Sequence, residues 1–185
     1  MRIDEQLRLV TAVEGDIRAY HVPLPRDVFE ANYRLLASTK AAMMAKGAAF
    51  MADAGPRIAT LLLKDEARAD REDSEAAVTS LLQDIQRLTT VLVPTPNGWE
   101  QLPVQTAITR QAIDAESWAE VESSLLFFTC HSCMSRRMER AGVMKALALI
   151  VGGEITSSSI TDYLASLPTS TATSGTQKPA SSVPS

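Results

Sequence analysis

Residues 118–138 read W-A-E-V-E-S-S-L-L-F-F-T-C-H-S-C-M-S-R-R-M, and the rest of the chain is organised around them. Trp118, Val121, Leu125, Phe128 and Ser132 recur at alternating three- and four-residue steps, which places them on one face of an α-helix. Leu126, Phe127, Cys130 and Met134 widen that face beyond a narrow seam, so burial on more than one side is expected. Asp114 or Ser117 can cap the start; Ser117 followed by Glu120 has the spacing of a capping box. Arg136, Arg137 and Arg140 suit the carbonyl end of the helix dipole. Burying five or six such side chains contributes about 10 kcal/mol before conformational entropy is subtracted. The other helices are expected to pack on this one.

Composition narrows the class. The 185 residues are enough for one domain of ordinary size with a tail left over. Hydrophobic residues make up 45% but aromatics only 5%, and alanine is abundant, which favours helices over a β-sandwich. A net charge of −4 gives no basic footprint for nucleic acid or for an anionic membrane surface. The longest apolar run, residues 143–151, is interrupted by Lys145 and falls short of the roughly 18 residues of a membrane span. The start of the chain carries Arg2, Asp4 and Glu5 and reads as no signal peptide. Two cysteines three positions apart cannot staple a fold, so a reducing, cytoplasmic setting is expected.

Residues 7–23 alternate on either side of Glu14-Gly15-Asp16, the pattern of a β-hairpin with a short glycine-containing turn. A two-stranded ribbon is marginal alone, so it must lean on a helix or pair with another chain through its edges. Pro25 then opens a helix to about Lys46, and Gly47 ends or loosens it. After Gly55-Pro56 a second helix restarts through Ile58, Leu61, Leu62 and Ala67, and the charge run 64–73 reads as its solvated end and a loop. Ser74 caps a helix carrying Val78, Leu81, Leu82, Ile85, Leu88 and Leu92, which stops at Pro94. Residues 94–103 read as a loop that folds back through Trp99. A short helix over 104–113 leads into the central one, Gly142 breaks the chain, and residues 143–151 form another apolar helix. A last short helix is capped by residues 157–159 and carries Ile160, Tyr163, Leu164 and Leu167. The fold expected is mainly α: a helical bundle with an N-terminal β-hairpin over 1–167, and a disordered Ser/Thr/Pro-rich tail over 168–185.

Candidates for chemistry are few. Cys130-His131-Ser132-Cys133 is a C-x-x-C, but a redox role needs the first thiol at a helix N-terminus, and here both lie deep inside a helix. A metal role needs more ligands, and the only other histidine is His21. Buried structural cysteines are therefore expected, with a small thiol enzyme as the rival. The carboxylate pairs Asp65/Glu66 and Glu120/Glu122 read as solvated helix faces. Gly55-Pro56-Arg57 can offer N–H groups to an anion, and a helix start explains it equally well. Met43, Met44 and Met51 read first as core filling, with an adaptable binding surface as the alternative. No nucleophile elbow, P-loop or dinucleotide fingerprint is present, so no catalytic residue, metal or cofactor is expected.

Read whole, the chain resembles the tail assembly chaperones of long-tailed bacteriophages, the class of the lambda G protein. The stretches that carry the resemblance are H-V-P-L-P-R-D-V-F-E at 21–30, G-P-R-I-A-T-L-L-L-K-D at 55–65 and R-L-T-T-V-L-V-P-T-P-N-G-W-E-Q-L-P at 87–103. It continues through E-V-E-S-S-L-L-F-F-T at 120–129, S-L-P-T-S-T at 166–171 and the Ser/Thr/Pro tail. The 130–133 segment belongs to no pattern of that family. The resemblance implies a non-enzymatic protein of the host cytoplasm that binds the tape measure protein, helps recruit tail tube subunits and is absent from the finished virion. It also implies that a frameshifted, longer form can exist. Such a protein would lend an apolar helical face to its partner, with self-association through the hairpin edge. Met43, Met44, Phe50 and Met51 are the candidate contacts. The rival within the same setting is a structural minor tail or connector protein.

Overall fold

Strand β2 (Leu9–Ala12) turns through Gly15, at φ 48, into β3 (Arg18–His21), with Val10 opposite Tyr20 and Thr11 opposite Ala19. This is the expected hairpin, but neither of its edges is left open. A computed structural model describes residues 2–3, 8–70, 74–96 and 98–151, and in it β1 (Arg2–Ile3) pairs with β2 while a later strand pairs with β3. That later strand, β4 (Thr89–Thr95), and β5 (Gly98–Pro103) complete an antiparallel sheet of five strands in the order β1-β2-β3-β4-β5.

Two expectations are corrected here. Leu88 and Leu92 do not extend a helix to Pro94, because the β-branched run Thr89-Thr90-Val91 pairs with His21, Tyr20 and Ala19. Residues 94–103 are not a loop: Pro94 lies opposite Trp99 and Leu92 opposite Gln101. Both prolines are tolerated there: Pro94 lies past Leu92, where the pairing of β4 with β3 ends, and Pro103 is the last residue of the edge strand β5. The edges on offer are thus β1 and β5, not those of the first hairpin.

Four helices are inserted between the neighbouring strands β3 and β4: α1 (Arg26–Ala45), α2 (Ala48–Asp53), α3 (Gly55–Asp70) and α4 (Ser74–Arg87). Pro25 precedes α1 and Gly47, at φ 88, follows it, as the sequence predicts. After β5 come α5 (Val104–Thr109), shorter than expected, then α6 (Ala115–Ser132) and α7 (Arg137–Ile150). The Asp114 carboxylate caps α6, accepting from the backbone N–H of Glu116 at 2.9 Å and of Ser117 at 3.3 Å, so the capping box starting at Ser117 is not used. Gly142 lies within α7 and breaks nothing. The expected helix near 157–167 and the tail lie outside the described residues. The architecture is therefore mostly helical with the expected N-terminal hairpin, but the expected helical bundle holds only roughly, because the helices share the fold with an antiparallel sheet larger than a hairpin.

Helix α6 is the centre of the helical layer. Every side chain from Leu125 to His131 is buried, which requires neighbours on all sides; α3 packs on it most extensively, with α1, α4 and α7 around it. The close approach of α3 rests on small residues. Ala59 and Ala67 are buried, and the Thr60 N–H donates to Ser123 Oγ at 3.3 Å. At the start of α3, a Cβ on Gly55 would stand 2.7 Å from Cε2 of Phe127, whose ring is fully buried. Glycine at this position is therefore a packing requirement, and an anion-binding role for Gly55-Pro56-Arg57 is not what its surroundings favour.

Gly55→Ala is expected to lower unfolding free energy by about 1–3 kcal/mol, because the buried ring must shift, which outweighs the gain of about 1 kcal/mol in helix propensity. Chemical denaturation checks this, and the loss should shrink when Phe127→Leu is combined with it in a double-mutant cycle.

Candidate functional site

The C-x-x-C segment lies at the C-terminal end of α6, the end at which the helix dipole disfavours a thiolate. Cys130 and Cys133 are both buried and unpaired as a disulfide. Burial pushes the Cys130 thiol well above its ordinary value, and the neighbouring Cys133 adds to the shift. Burial likewise raises Cys133, to about 11, against the opposing charge of Arg140. The Cys133 thiol points back to the carbonyl of Cys130, 3.9 Å away. Neither thiol is activated, which supports the structural reading over the thiol enzyme.

Sequence distance concealed one association. His21, at the end of β3, and the 129–133 segment of α6 line the same small cavity, together with Leu24 and with Arg140 of α7. The His21 ring is locked. Thr89 Oγ1 donates to the Ile85 carbonyl at 2.7 Å, so it accepts from His21 Nδ1–H at 2.9 Å, which fixes the tautomer. Nε2 is left as a buried acceptor with no hydrogen-bond partner among the described residues. His131 repeats the pattern: Nδ1–H donates to the Phe127 carbonyl at 2.8 Å, and Nε2 lacks a partner among the described residues. Desolvation pushes His21 down to about 4 and lowers His131 as well. The cavity measures about 20 Å³, room for about one water and not for a substrate. Arg140 is committed to the end of α6, donating to the carbonyls of Ser135 at 3.2 Å and Cys133 at 3.4 Å. Among the described residues no group of three or more His, Cys, Asp or Glu side chains is arranged to hold a metal ion.

The four candidate contact residues are not brought together on one surface. Met43 is fully buried and Met51 nearly so; both fill the core between α1, α2 and α3, which corrects their assignment as contacts. Met44 is 58% exposed, and Phe50 is half-buried with the Lys46 ammonium 5.2 Å from its ring centroid. Helical spacing explains the split, since Met43 and Met44 are adjacent and point about 100° apart.

Apolar side chains that do face outward were missed by the sequence reading. Tyr33 shares an α1 face with Met44, eleven positions and three turns away, and Leu61 projects from α3. The outer side of α7 is the more extensive: Met138 is 96% and Leu149 75% exposed, with Ile150 beside Leu149. Met144, Leu147 and Ala148 occupy the inner side, while Gly142 and the exposed Lys145 lie between Met138 and Leu149 on the outer one, so the outward apolar side chains stand at the two ends of α7. The run at 143–151 signalled Leu149 and Ile150 in sequence, because its apolar residues spread over more of the helix than one neighbour can bury.

Comparison of the chain with protein-family models, with curated proteins and with solved structures returned no match.

Both thiols should be silent toward a disulfide reagent at pH 8 in the folded protein and titrate in full in denaturant. Stability should also fall on acidification. His21 titrates near its ordinary value of about 6.5 when unfolded but at about 4 when folded. The unfolded chain therefore takes up the proton first, and stability present above pH 6.5 is lost as pH drops toward 4, by roughly 3 kcal/mol from this residue. Urea midpoints across that window check it; His21→Gln should flatten the profile.

Proposed function

We propose that this chain is a non-enzymatic tail assembly chaperone of a long-tailed bacteriophage. In this reading it acts in the host cytoplasm, binds the tape measure protein, helps recruit tail tube subunits and stays out of the mature virion. The observation that carries the proposal is the set of apolar side chains that stand in solvent at the two ends of α7, Met138 at one and Leu149 with Ile150 at the other. A tape measure is a long helical polypeptide with apolar stripes, and outward apolar side chains about three turns apart on α7 offer it matching contacts. Met44 and Tyr33 on α1 add a second, smaller patch of the same character.

The stretches that carry the family resemblance fall on different parts of the molecule. Residues 55–65 open α3, 87–103 form the β4–β5 hairpin, and 120–129 are the buried centre of α6. They are fold-forming segments, so they support a shared scaffold and leave the contact surface to be located by exposure.

Co-expression with the tape measure protein of the same phage should raise the solubility of that protein and give a complex on size exclusion. Met138→Asp combined with Leu149→Asp should abolish the complex while changing folding stability by less than about 0.5 kcal/mol per site, since both side chains are exposed. An unchanged tape measure solubility, or detection of this chain by mass spectrometry in purified virions, would refute the chaperone reading; the second result would favour a minor tail or connector component.

A further inference from the structure

The elements that meet at His21 differ in how firmly they are held. Strand β3, which carries it, is paired on both sides, with His21 opposite Leu9 of β2 and Thr89 of β4. Helix α6 is enclosed by α1, α3 and α4 and is buried at every position from Leu125 to His131. Helix α7 sets Arg140 and Met144 against the same small cavity, and among the described elements it packs mainly on α6, with a lesser contact to α2. It is joined to α6 by the short segment 133–136. Arg140 reaches back across that joint to the carbonyls of Ser135 and Cys133. Of these walls, α7 is the one that can move without breaking the sheet or the core.

A proton arriving at His21 has one nitrogen to take. Nδ1 is committed to the Thr89 hydroxyl, itself committed to the Ile85 carbonyl, and Nε2 has no hydrogen-bond partner among the described residues. The charged and titratable side chains that line the cavity with His21 are Arg140 of α7 and Cys133 of α6. The first is a cation, and the second is kept neutral by burial. Strand β2 contributes Leu9, β4 the Thr89 hydroxyl and α4 the Ile85 carbonyl, none of which titrates. No carboxylate among the described residues lines the cavity, and its 20 Å³ admits about one water. An imidazolium closed in here is a buried charge without a counter-charge, a cost that water entering from the α7 side relieves.

We propose that α7 is an acid-released flap: protonation of His21 unseats it at Arg140, lets water into the cavity and turns Met144, Leu147 and Ala148 to solvent. Burial pushes the ring down to about 4 in the closed form, whereas a solvated ring titrates near 6.5. The open form therefore binds the proton first, and acid favours it as pH falls from 6.5 toward 4. The flap is a property of this chain alone and stands whether or not a tape measure protein is the partner. It also separates the two thiols. Cys133 lines the cavity under α7, while Cys130 is fully buried within the core around α6.

The test follows both thiols of the full native chain with N-ethylmaleimide, each site read by peptide mass and each rate divided by that of the unfolded chain at the same pH. From pH 7.5 to pH 5 the Cys133 ratio is expected to rise about 30-fold, while the Cys130 ratio stays at the level set by global unfolding. Hydrogen-exchange protection of the Leu147 and Ala148 amides should fall over the same range, with Leu125 and Val91 still protected. Arg140→Gln should raise the Cys133 ratio about tenfold at pH 7.5 by removing the tie across the joint. His21→Gln should remove the acid rise. Equal ratios for the two cysteines at every pH would overturn the inference, since opening would then be global. So would a Cys133 ratio that stays flat down to pH 5, or a rise that survives His21→Gln. The exchange measurement needs no variant and decides alone if a substitution prevents folding: α7 amides as protected at pH 5 as those of α6 would sink the flap.

Discussion

Burial of α6 on every side is the constraint from which the architecture follows. Seven consecutive residues, 125–131, are buried, and a helix with no solvent face has to be enclosed by other elements. The enclosure needs one neighbour to come unusually near, and α3 does so at Gly55, where the edge of Phe127 occupies the space a side chain would take. Two polar side chains that enter this interior are tied to the backbone, His131 Nδ1 to the Phe127 carbonyl and Thr39 to the Leu35 carbonyl, while His131 Nε2 and Thr60 Oγ1 have no hydrogen-bond partner among the described residues. The sheet closes the remaining side, bringing His21 against the end of α6.

The helical part was legible because its signals are local. Proline before α1, glycine after it, and apolar residues at helical spacing in α3, α4 and α6 need no knowledge of the fold to be read. The second half of the sheet was not legible for the opposite reason. Leu88 and Leu92 fit the stripe of the preceding helix, and prolines at 94, 96 and 103 resemble loop chemistry. Only pairing with β3, about 70 positions earlier, decides that Thr89–Thr95 is a strand. The run Thr-Thr-Val-Leu-Val was the available signal, and the turn chemistry around it outweighed it.

At the level of the site, exposure is what sequence could not assign. Adjacent methionines Met43 and Met44 look alike in the chain, yet the first is fully buried and the second stands in solvent. Conversely, the C-x-x-C, the sharpest motif in the sequence, is the most inert part of the interior, its thiols held protonated by desolvation. Exposed large apolar side chains are found instead on α1, on α3 and at the two ends of α7.

The insertion of four helices between β3 and β4 also sets an order of events during synthesis. The first hairpin leaves the ribosome early, but Tyr20 cannot meet Thr90 until the whole excursion has been translated. Through that interval the outer edge of β3 is an unpaired template, the kind of surface that captures stray strands. Ring closure over so many residues costs entropy before any ladder bond repays it, so sheet completion is the slow stage and the helices condense ahead of it. A nascent chain stalled before Thr89 would expose its stickiest edge to every neighbouring polysome.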